Sequence, residues 1–348
     1  MAKKKTILPA EDGANGEQAD VYHIPVMLME AVDAMNIQPG GVYVDCTFGG
    51  GGHSREILKR LGPEGRLVAF DQDPDAKRNL PDDERIVFVP HNFKHISRFL
   101  KLNRFEKVDG VLADLGVSSH QFDEGARGFS TRFDGPLDMR MDPMQPLTAA
   151  IILQTYSQQQ LHKLFELYGE VTNSKTLAAT IVQQRTTNPF QTIEQLKQAL
   201  QSVVKGNPNK YFAQVFQALR IEVNDELGVL KELLEQLPAV LKPKGRAAII
   251  SFHSLEDRLV KNFFKKGSFE EEAYNPFDRE EKEKIFQLQE DQLVFLGDYI
   301  TPGPDSKGVL QFIIDLKQRC NVVCIMGNHE EMMINAFSDP STMDWFLE

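Results

Sequence analysis

The fold is decided by the stretch VYVDCTFGGGGHS, residues 42–54. Its apolar start predicts a buried strand that ends at Asp45, and the four glycines that follow predict a tight loop leading into a helix. The first N–H groups of such a helix are free to bind a ligand, and glycines let that ligand come close to the backbone. The stretch therefore predicts a site for a nucleotide-like cofactor, with a plain tight turn as the alternative.

The spacing of the glycines separates two classes of cofactor. A dinucleotide fingerprint needs a third glycine three residues after its second, and Ser54 stands there when Gly49 and Gly51 are taken as the first two. The pattern Asp-x-x-x-Gly-x-Gly from Asp45 to Gly51 fits instead. Because it resembles the pattern of S-adenosylmethionine (SAM) methyltransferases, it favours SAM over a nicotinamide cofactor.

Further strands follow this first one at the spacing of an α/β protein. Helical patterns separate the first two strands and the last two of the first four, which predicts a parallel Rossmann-like sheet with crossover helices and ligands at the carboxyl ends of its strands. A fifth strand comes only after a gap of about 130 residues. The predicted strands are residues 42–46, 66–71, 85–90, 108–114 and 246–252.

The long gap has its own pattern. Residues 123–146 are rich in glycine, proline and charge, apolar residues then recur at helical spacing in 149–168, 174–184 and 192–203, and the chain returns through 212–241. We interpret this as a helical subdomain inserted into the α/β domain. The predicted units are a disordered tail (1–20), the α/β domain (21–122 and 223–270), the inserted helical domain (123–222) and an incomplete α/β extension (271–348).

Composition narrows the class of protein. The net charge of −11 comes almost entirely from residues 271–348, where 16 acids face 6 bases, so the remaining chain is nearly neutral. A protein that is nearly neutral overall can still have a local basic surface that binds RNA. No apolar run reaches the roughly 20 residues of a membrane span, and the three cysteines form no disulfide framework. We therefore expect a cytoplasmic protein without membrane contact.

Candidate site residues stand at the predicted strand ends. Asp71 is placed to accept hydrogen bonds from cofactor ribose hydroxyls, with an exposed loop acid or helix cap as the alternative. Phe93 is a candidate to stack on adenine or a core residue. Asp114 is the candidate for the cofactor end of the catalytic site, and Ser118 either helps to hold a target amine or is a turn residue.

Seven ordered motifs resemble the bacterial 16S rRNA (cytosine-N4)-methyltransferases of the RsmH or MraW family. The resemblance implies SAM-dependent methylation of N4 on a decoding-centre cytidine, with the small ribosomal subunit and its 16S rRNA as partner and no metal. It leaves the oligomeric state open, with a homodimer as one option. The implied cofactor residues are Gly51, Gly52, His53, Asp71, Phe93, Asp114 and Gln121. The motifs are YHIPVM (22–27), TFGGGGHS (47–54), DLGVSS (114–119), RGFS (127–130), DGPLDMRMD (134–142), FQALRIEVN (216–224) and SFHSLEDR (251–258).

Two further sets of side chains complete the candidates. In SFHSLEDR, Ser254 and Asp257 have the spacing of a capping box, so the segment is a helix cap alone or a cap that also walls the active site, with His253 as a tentative catalytic residue. Basic residues offer contacts to rRNA phosphates or form an ordinary solvated surface. They are Arg127, Arg132, Arg140, Arg185, Lys205, Lys210 and Arg220.

The final segment resembles a different family. DQLVFLGDYI (291–300), GPDSKG (303–308) and NVVCIMGNHE (321–330) resemble the middle of calcineurin-like metallophosphoesterases. The resemblance implies metal ligands at Asp298 and Asn328 and a catalytic His329. Since the upstream and downstream ligand motifs are missing, we predict a catalytically inactive tail. A bifunctional or degenerate phosphoesterase, or a SAM-binding ribosome assembly factor without turnover, remain the alternative functions.

Overall fold

The computed structural model describes residues 25–269, 292–296 and 321–325. Their strands form a single parallel sheet in the order β3-β2-β1-β4-β5-β6-β7. The first four strands confirm the sequence prediction to within one residue at each end. The strands are β1 (Val42–Asp45), β2 (Arg66–Phe70), β3 (Ile86–Val89), β4 (Val108–Asp114), β5 (Leu241–Ile250), β6 (Gln292–Leu296) and β7 (Asn321–Ile325).

Eleven α-helices lie within the described residues. They are α1 (Leu28–Ala34), α2 (Gly52–Arg60), α3 (Ile96–Leu102), α4 (Ser119–Asp123), α5 (Ala149–Thr155), α6 (Gln158–Leu167), α7 (Ser174–Gln184), α8 (Ile193–Leu200), α9 (Pro208–Asn224), α10 (Glu226–Val240) and α11 (Ser254–Lys266). None of these described helices is both long and apolar enough to cross a membrane.

Both faces of the sheet are covered, as its continuous apolar strands predict. Tyr43 and Leu67 point to one face, where they pack with side chains of α1 and α2. Their neighbours Val44 and Val68 point to the other face and pack with α3, α10 and α11. This alternation fixes the register of each strand, because a slip of one residue exchanges its two faces.

The helices from α5 to α9 have a core of their own. Its buried side chains all come from residues 129–223, including Leu161, Ile181 and Leu219. The predicted helix over 174–184 is α7, but the predicted helix over 149–168 is two helices. Ser157 separates them because its hydroxyl accepts the N–H of Gln160, whose side chain bonds back to Ser157 and closes a capping box. The domain boundaries at 123 and 222 stay a prediction.

The fifth strand begins earlier than predicted, at Leu241, and ends two residues earlier, at Ile250. Its pairing with β4 shifts between Val108, opposite Leu241, and Gly110, opposite Arg246. The extra residues include Pro243 and Gly245, which disguise a strand in sequence patterns. The strand therefore starts directly after α10 and contains an irregularity.

The last two strands extend the sheet beyond β5. Val294 pairs with Ala248, and β7 pairs in turn with β6 over five residues, all parallel. Both strands coincide with the apolar runs of the phosphoesterase-like motifs. The residues that the resemblance singled out in this segment, Asp298, Asn328 and His329, lie outside the described residues, as does the tail 1–20.

Candidate active site

A cavity of about 710 Å³ lies at the carboxyl edge of the sheet. It sits where the strand order reverses, between β1 and β4, which is the expected ligand position in an open parallel sheet. Its volume is that of a small-molecule or cofactor site. Of the sequence-predicted site residues, the cavity wall contains Gly52, His53, Asp71, Phe93, Asp114, Ser118 and Gln121.

Two predicted residues, Gly51 and His253, do not line the cavity. Gly51 shapes the loop instead. It is the N-cap of α2 with φ of 75°, and a Cβ there would lie 2.9 Å from the ring of Phe48. The adjacent Gly50 does line the cavity, and a Cβ on it would meet no atom within 4 Å, so its missing side chain leaves room for a ligand.

Asp71 ties the glycine loop to the end of β2. Its Oδ2 accepts the N–H of Gly49 at 2.7 Å, and its Oδ1 accepts the N–H of Asp73 at 2.8 Å. Burial raises the pKa of Asp71 to about 6. A carboxylate has about four acceptor positions, so each oxygen keeps capacity for a ligand hydroxyl.

The floor of the cavity joins β1, α2 and β4. Asp45 is fully buried and accepts the hydroxyl of Ser54 at 2.6 Å, and burial raises its pKa. His53 Nδ1 lies 3.8 Å from Asp114 Oδ2, and burial lowers the His53 pKa. Two atoms here, His53 Nε2 and Asp114 Oδ1, are buried without a hydrogen-bond partner. Since buried polar atoms are normally paired, both atoms are available to a ligand.

Three predicted residues meet in one network beside the cavity. Ser118 N-caps α4 in a capping box with Gln121, which is the turn role that the sequence left open for this serine. Gln121 Nε2 then donates to Asp73 Oδ2 at 2.7 Å, and the same oxygen lies 2.7 Å from Arg127 Nη1. Asp73 also N-caps the 3₁₀ turn at Pro74. The network fixes the wall on which Gln121 lies.

The SFHSLEDR segment differs from its prediction. His253, and not Ser254, is the N-cap of α11, because its Nδ1 accepts the N–H of Glu256 at 3.4 Å. Glu256 in turn accepts the N–H of Phe252, the residue before the cap, at 2.8 Å, so the start of the helix is held one residue earlier than Ser254 and Asp257 suggested. Burial and the nearby Arg220 lower the His253 pKa to about 4, so its ring is neutral at pH 7.

Many residues of the wall were not singled out individually from the sequence, and four of them lie near β5 and α10. Phe252 and Glu256 follow β5, while Asn224 and Glu226 lie at the junction of α9 and α10. Three of them stand inside quoted motifs, which was the only signal in the sequence. Their position on the cavity depends on the long-range pairing of β5 with β4.

Carboxylates dominate the electrostatics of the cavity. The pKa of Asp114 is raised to about 7 by burial first, and then by Asp45 and Glu256. Burial is also the main cause that raises the Glu256 pKa to about 7. Acids that repel one another in this way suit a ligand that brings positive charge or hydrogen-bond donors.

Four of the seven basic candidates for phosphate contact have other partners. Arg127 pairs with Asp73, Arg140 with Asp138 and Arg220 with Glu226. Arg185 donates to the carbonyl oxygens of Leu153 and Tyr156. The exposed candidates are Arg132, Lys205 and Lys210. Arg127, Arg140, Arg185 and Arg220 are held by partners within the protein, and their contact with rRNA phosphates stays a prediction.

Comparison with known proteins gives two family matches. The model of the MraW methylase family matches residues 20–289, and that of calcineurin-like phosphoesterases matches residues 252–346. The ribosomal RNA small subunit methyltransferase H of Christiangramia forsetii is 54% identical over 252 residues, which are 72% of this chain and 83% of that protein. The protein of the same name from Bacteroides fragilis strain YCH46 is 47% identical over 302 residues, 86% of this chain and 99% of the relative.

Solved structures are less similar. A putative rRNA methylase from Clostridium thermocellum is 20% identical with a TM-score of 0.24 and covers 28% of this chain and 55% of its own. Aeropyrum pernix fibrillarin, solved with natively bound S-adenosyl-L-methionine, is 19% identical with a TM-score of 0.22 and covers 29% and 45%. The family match spans more than three quarters of the sequence. This chain belongs to the MraW methylase family.

Proposed function

We propose that this chain transfers a methyl group from SAM to N4 of a cytidine in the decoding centre of small-subunit 16S rRNA. The observation that supports it most is the acidic cavity at the carboxyl edge of the sheet, in a chain whose curated relatives are named as methyltransferases of small-subunit rRNA. The substrate is the assembled small subunit, and the reaction takes place in the cytoplasm.

The residues of the cavity fit SAM. When bound, SAM supplies a methyl group on a positively charged sulfur. Carboxylates with raised pKa values suit that charge and the ammonium group, and the unpartnered His53 Nε2 and Asp114 Oδ1 offer polar contacts. The residues that would hold the cofactor are Gly51, Gly52, His53, Asp71, Phe93, Asp114 and Gln121, with Gly51 acting through the shape of the loop.

The protein's task is to position a weak nucleophile. The exocyclic amine of cytosine is a poor nucleophile because its lone pair is delocalised into the ring. Acceptors that bind its N–H groups orient the amine toward the methyl group, and fixed orientation supplies much of the rate enhancement. Asp114 is the acceptor nearest the cofactor residues, while Ser118 and His253 act by holding the walls.

The inserted helical domain, residues 123–222, presents the RNA to this cavity. Arg132, Lys205 and Lys210 are exposed cations on that domain that suit phosphate contacts. A homodimer stays a prediction.

The two alternative functions differ in what they would release or transfer. The calcineurin-like match over residues 252–346 is the observation behind a phosphoesterase activity, which we propose is absent. Hydrolysis of a generic phosphoester with added manganese, lost on Asp298→Ala, would contradict that proposal. A ribosome assembly factor without turnover would bind SAM and transfer nothing.

The decisive experiment uses tritiated SAM and purified small subunits that lack the modification. We expect label in 16S rRNA, with mass mapping to N4 of one cytidine, and loss of label with Asp114→Ala. Asp82→Ala, an exposed acid outside the cavity, is the matched control and should leave the label unchanged. Binding of SAM to wild-type protein without transfer to any form of the subunit would refute the proposed function.

A further inference from the structure

The cavity has an end to which the family resemblance assigns no ligand contact. The proposed cofactor residues follow β1, β2, β3 and β4, whereas Phe252 and Glu256 follow β5. In the sheet, β5 lies beyond β4, on the side opposite to β2 and β3. Phe252 and Glu256 therefore line the end of the cavity farthest from Asp71 and Phe93.

Phe252 is an aromatic side chain with an open face. It is 52% exposed although it borders the cavity. The backbone opposite belongs to Gly116, which has φ of 92°, and a Cβ on Gly116 would lie 3.5 Å from the ring. A larger residue at Gly116 would be strained and would contact the ring. The arrangement keeps an apolar ring surface accessible from the cavity, which is the surface that a nucleobase stacks on.

Glu256 is a buried acceptor beside that ring. Glu256 is 2% exposed, and its Oε2 accepts the backbone N–H of Phe252 at 2.8 Å. This bond holds the acid beside the aromatic residue. Glu256 Oε1 lies 3.3 Å from His253 Nε2 without the alignment of a hydrogen bond. Since His253 Nδ1 accepts a backbone N–H, the neutral ring has its proton on Nε2 and limits where Oε1 can move.

The other polar groups at this end are already used within the protein. Both oxygens of Glu226 bind the guanidinium of Arg220, at 2.8 and 3.0 Å. The amide of Asn224 donates to the carbonyl oxygens of Met139 and Arg220, and its oxygen accepts the N–H of Met141. Glu256 lies on the cavity wall and accepts the backbone N–H groups of Phe252 and His253, which leaves acceptor positions of its carboxylate for a ligand.

We propose that Phe252 and Glu256 form the nucleobase subsite of the cavity, in which the target cytosine stacks on the ring of Phe252 and donates an N4–H to Glu256. His253 is a positioning residue that holds Glu256. The inference rests on the proposed function, since it names the residues that bind the base. One N4–H on Glu256 and the other toward Asp114 would orient the amine between the two acids.

The subsite also explains a choice between bases. Cytosine presents an amine donor at position 4, whereas uracil presents a carbonyl acceptor there. A carboxylate opposite a carbonyl would leave two acceptors facing each other in a buried place, and such a mismatch strongly disfavours the wrong base. Glu256 is therefore a determinant of specificity for cytidine as well as a contact.

Glu256→Gln tests the acceptor. The N–H of Phe252 requires the single amide oxygen, so the new NH₂ group would face the N4 amine. We expect kcat/KM for methylation of small subunits to fall about 100-fold, since a buried donor would oppose a donor. The Kd for SAM should stay within about threefold, because the cofactor residues are elsewhere. Asp257→Asn, a neighbouring acid paired with Lys261, is the matched control and should retain wild-type activity.

Phe252→Leu tests the ring. Loss of stacking should lower kcat/KM about 10-fold, mainly through KM for the subunit, and Phe252→Tyr should restore most of it. Leu102→Ala removes an exposed apolar side chain at the end of α3, outside both the cavity and the inserted domain, and should have no effect. Thermal unfolding and SAM binding of each variant report on folding, and if Phe252→Leu is misfolded, Phe252→Met takes its place as the variant that lacks a ring.

The outcomes separate this inference from the proposed function. If wild-type protein transfers no methyl group to any subunit preparation, the proposed function fails. If wild-type protein is active and folded Glu256→Gln and Phe252→Leu match it in kcat/KM, the nucleobase subsite is wrong while the proposed function stands. An equal loss of SAM affinity and activity in both variants would also overturn the subsite, since it would place these residues at the cofactor.

Discussion

Replacing Asp114 by asparagine should stabilise the free protein while it destroys cofactor binding. The pKa of Asp114 rises from an ordinary 3.8 to about 7, chiefly through burial and then through Asp45 and Glu256. Because the folded protein binds this proton more tightly than the unfolded chain, the free energy of unfolding falls as pH rises from about 4 to about 7. A pKa difference of about three pH units corresponds to roughly 4 kcal/mol, which is an upper bound.

The Asp114→Asn substitution removes the charge and keeps the shape of the side chain. The variant therefore does not lose stability through ionisation of a buried carboxyl group. At pH 8 we expect its free energy of unfolding to exceed that of wild type by about 1–3 kcal/mol, which raises Tm by about 1–4 °C for a protein of this size. At pH 4 wild-type Asp114 is already protonated in the folded state, and the difference should vanish. The Kd for SAM should rise at least about 10-fold at pH 8, because a charged contact is lost.

Calorimetric unfolding from pH 4 to pH 9, together with titration of SAM, measures both effects. Asp82→Asn changes the same chemical group at an exposed position and should leave Tm unaltered at every pH. A variant less stable than wild type at pH 8, or a stability difference that does not shrink toward pH 4, would refute the electrostatic account of Asp114.

Three other outcomes follow from the same structure. SAM affinity should increase from pH 5.5 to pH 8 as Asp114 and its neighbouring acids ionise, and more steeply than the affinity for S-adenosylhomocysteine, as titration calorimetry would record. Gly128→Ala should cost about 2 kcal/mol or more in urea unfolding, because φ is 77° and the new Cβ would press on the carbonyl oxygen of Pro136, whereas Gly40→Ala meets no atom within 4 Å and should be neutral. Asn224→Ala should cost about 2–4 kcal/mol in the same assay, since it leaves a buried N–H and buried carbonyl oxygens unpaired.

Local sequence was enough to predict the sheet, for a physical reason. Strands β1, β2 and β4 are largely buried and pack on both faces, so each is a short apolar run that ends at or just before an acid. The helix over 174–184 was predicted to the residue because its apolar spacing starts and stops with it. By contrast, β5 begins at Leu241 among Lys242, Pro243 and Gly245, whose types are depleted in strands, and only its pairing with β4 identifies it.

Site residues could be predicted where the same short segment contains both the recognisable motif and the side chain that lines the cavity. His53 follows the glycine loop directly and lies on the cavity, and Asp114 ends its own strand there. Arg127 shows the limit, because its partner Asp73 is 54 residues away and nothing in the RGFS motif distinguishes a buried ion pair from a phosphate contact. Glu256 is the reverse case, because it lies on the cavity wall although the sequence did not single it out. Its position there depends on how α11 begins after the end of β5.

The burial of the acids in and beside the cavity, together with their mutual repulsion, gives the proposed reaction a means of releasing its product. Asp45, Asp71, Asp114 and Glu256 all have raised pKa values, so the free protein holds its carboxylates in an environment that disfavours their charge. A sulfonium ligand relieves that repulsion and is bound the more tightly for it. Methyl transfer leaves a neutral sulfur, and the same carboxylates then face a ligand that no longer neutralises them. The buried carboxylates that lower the stability of the free protein therefore make it bind SAM more tightly than the demethylated product. The lower stability is a consequence of this preference for the charged ligand.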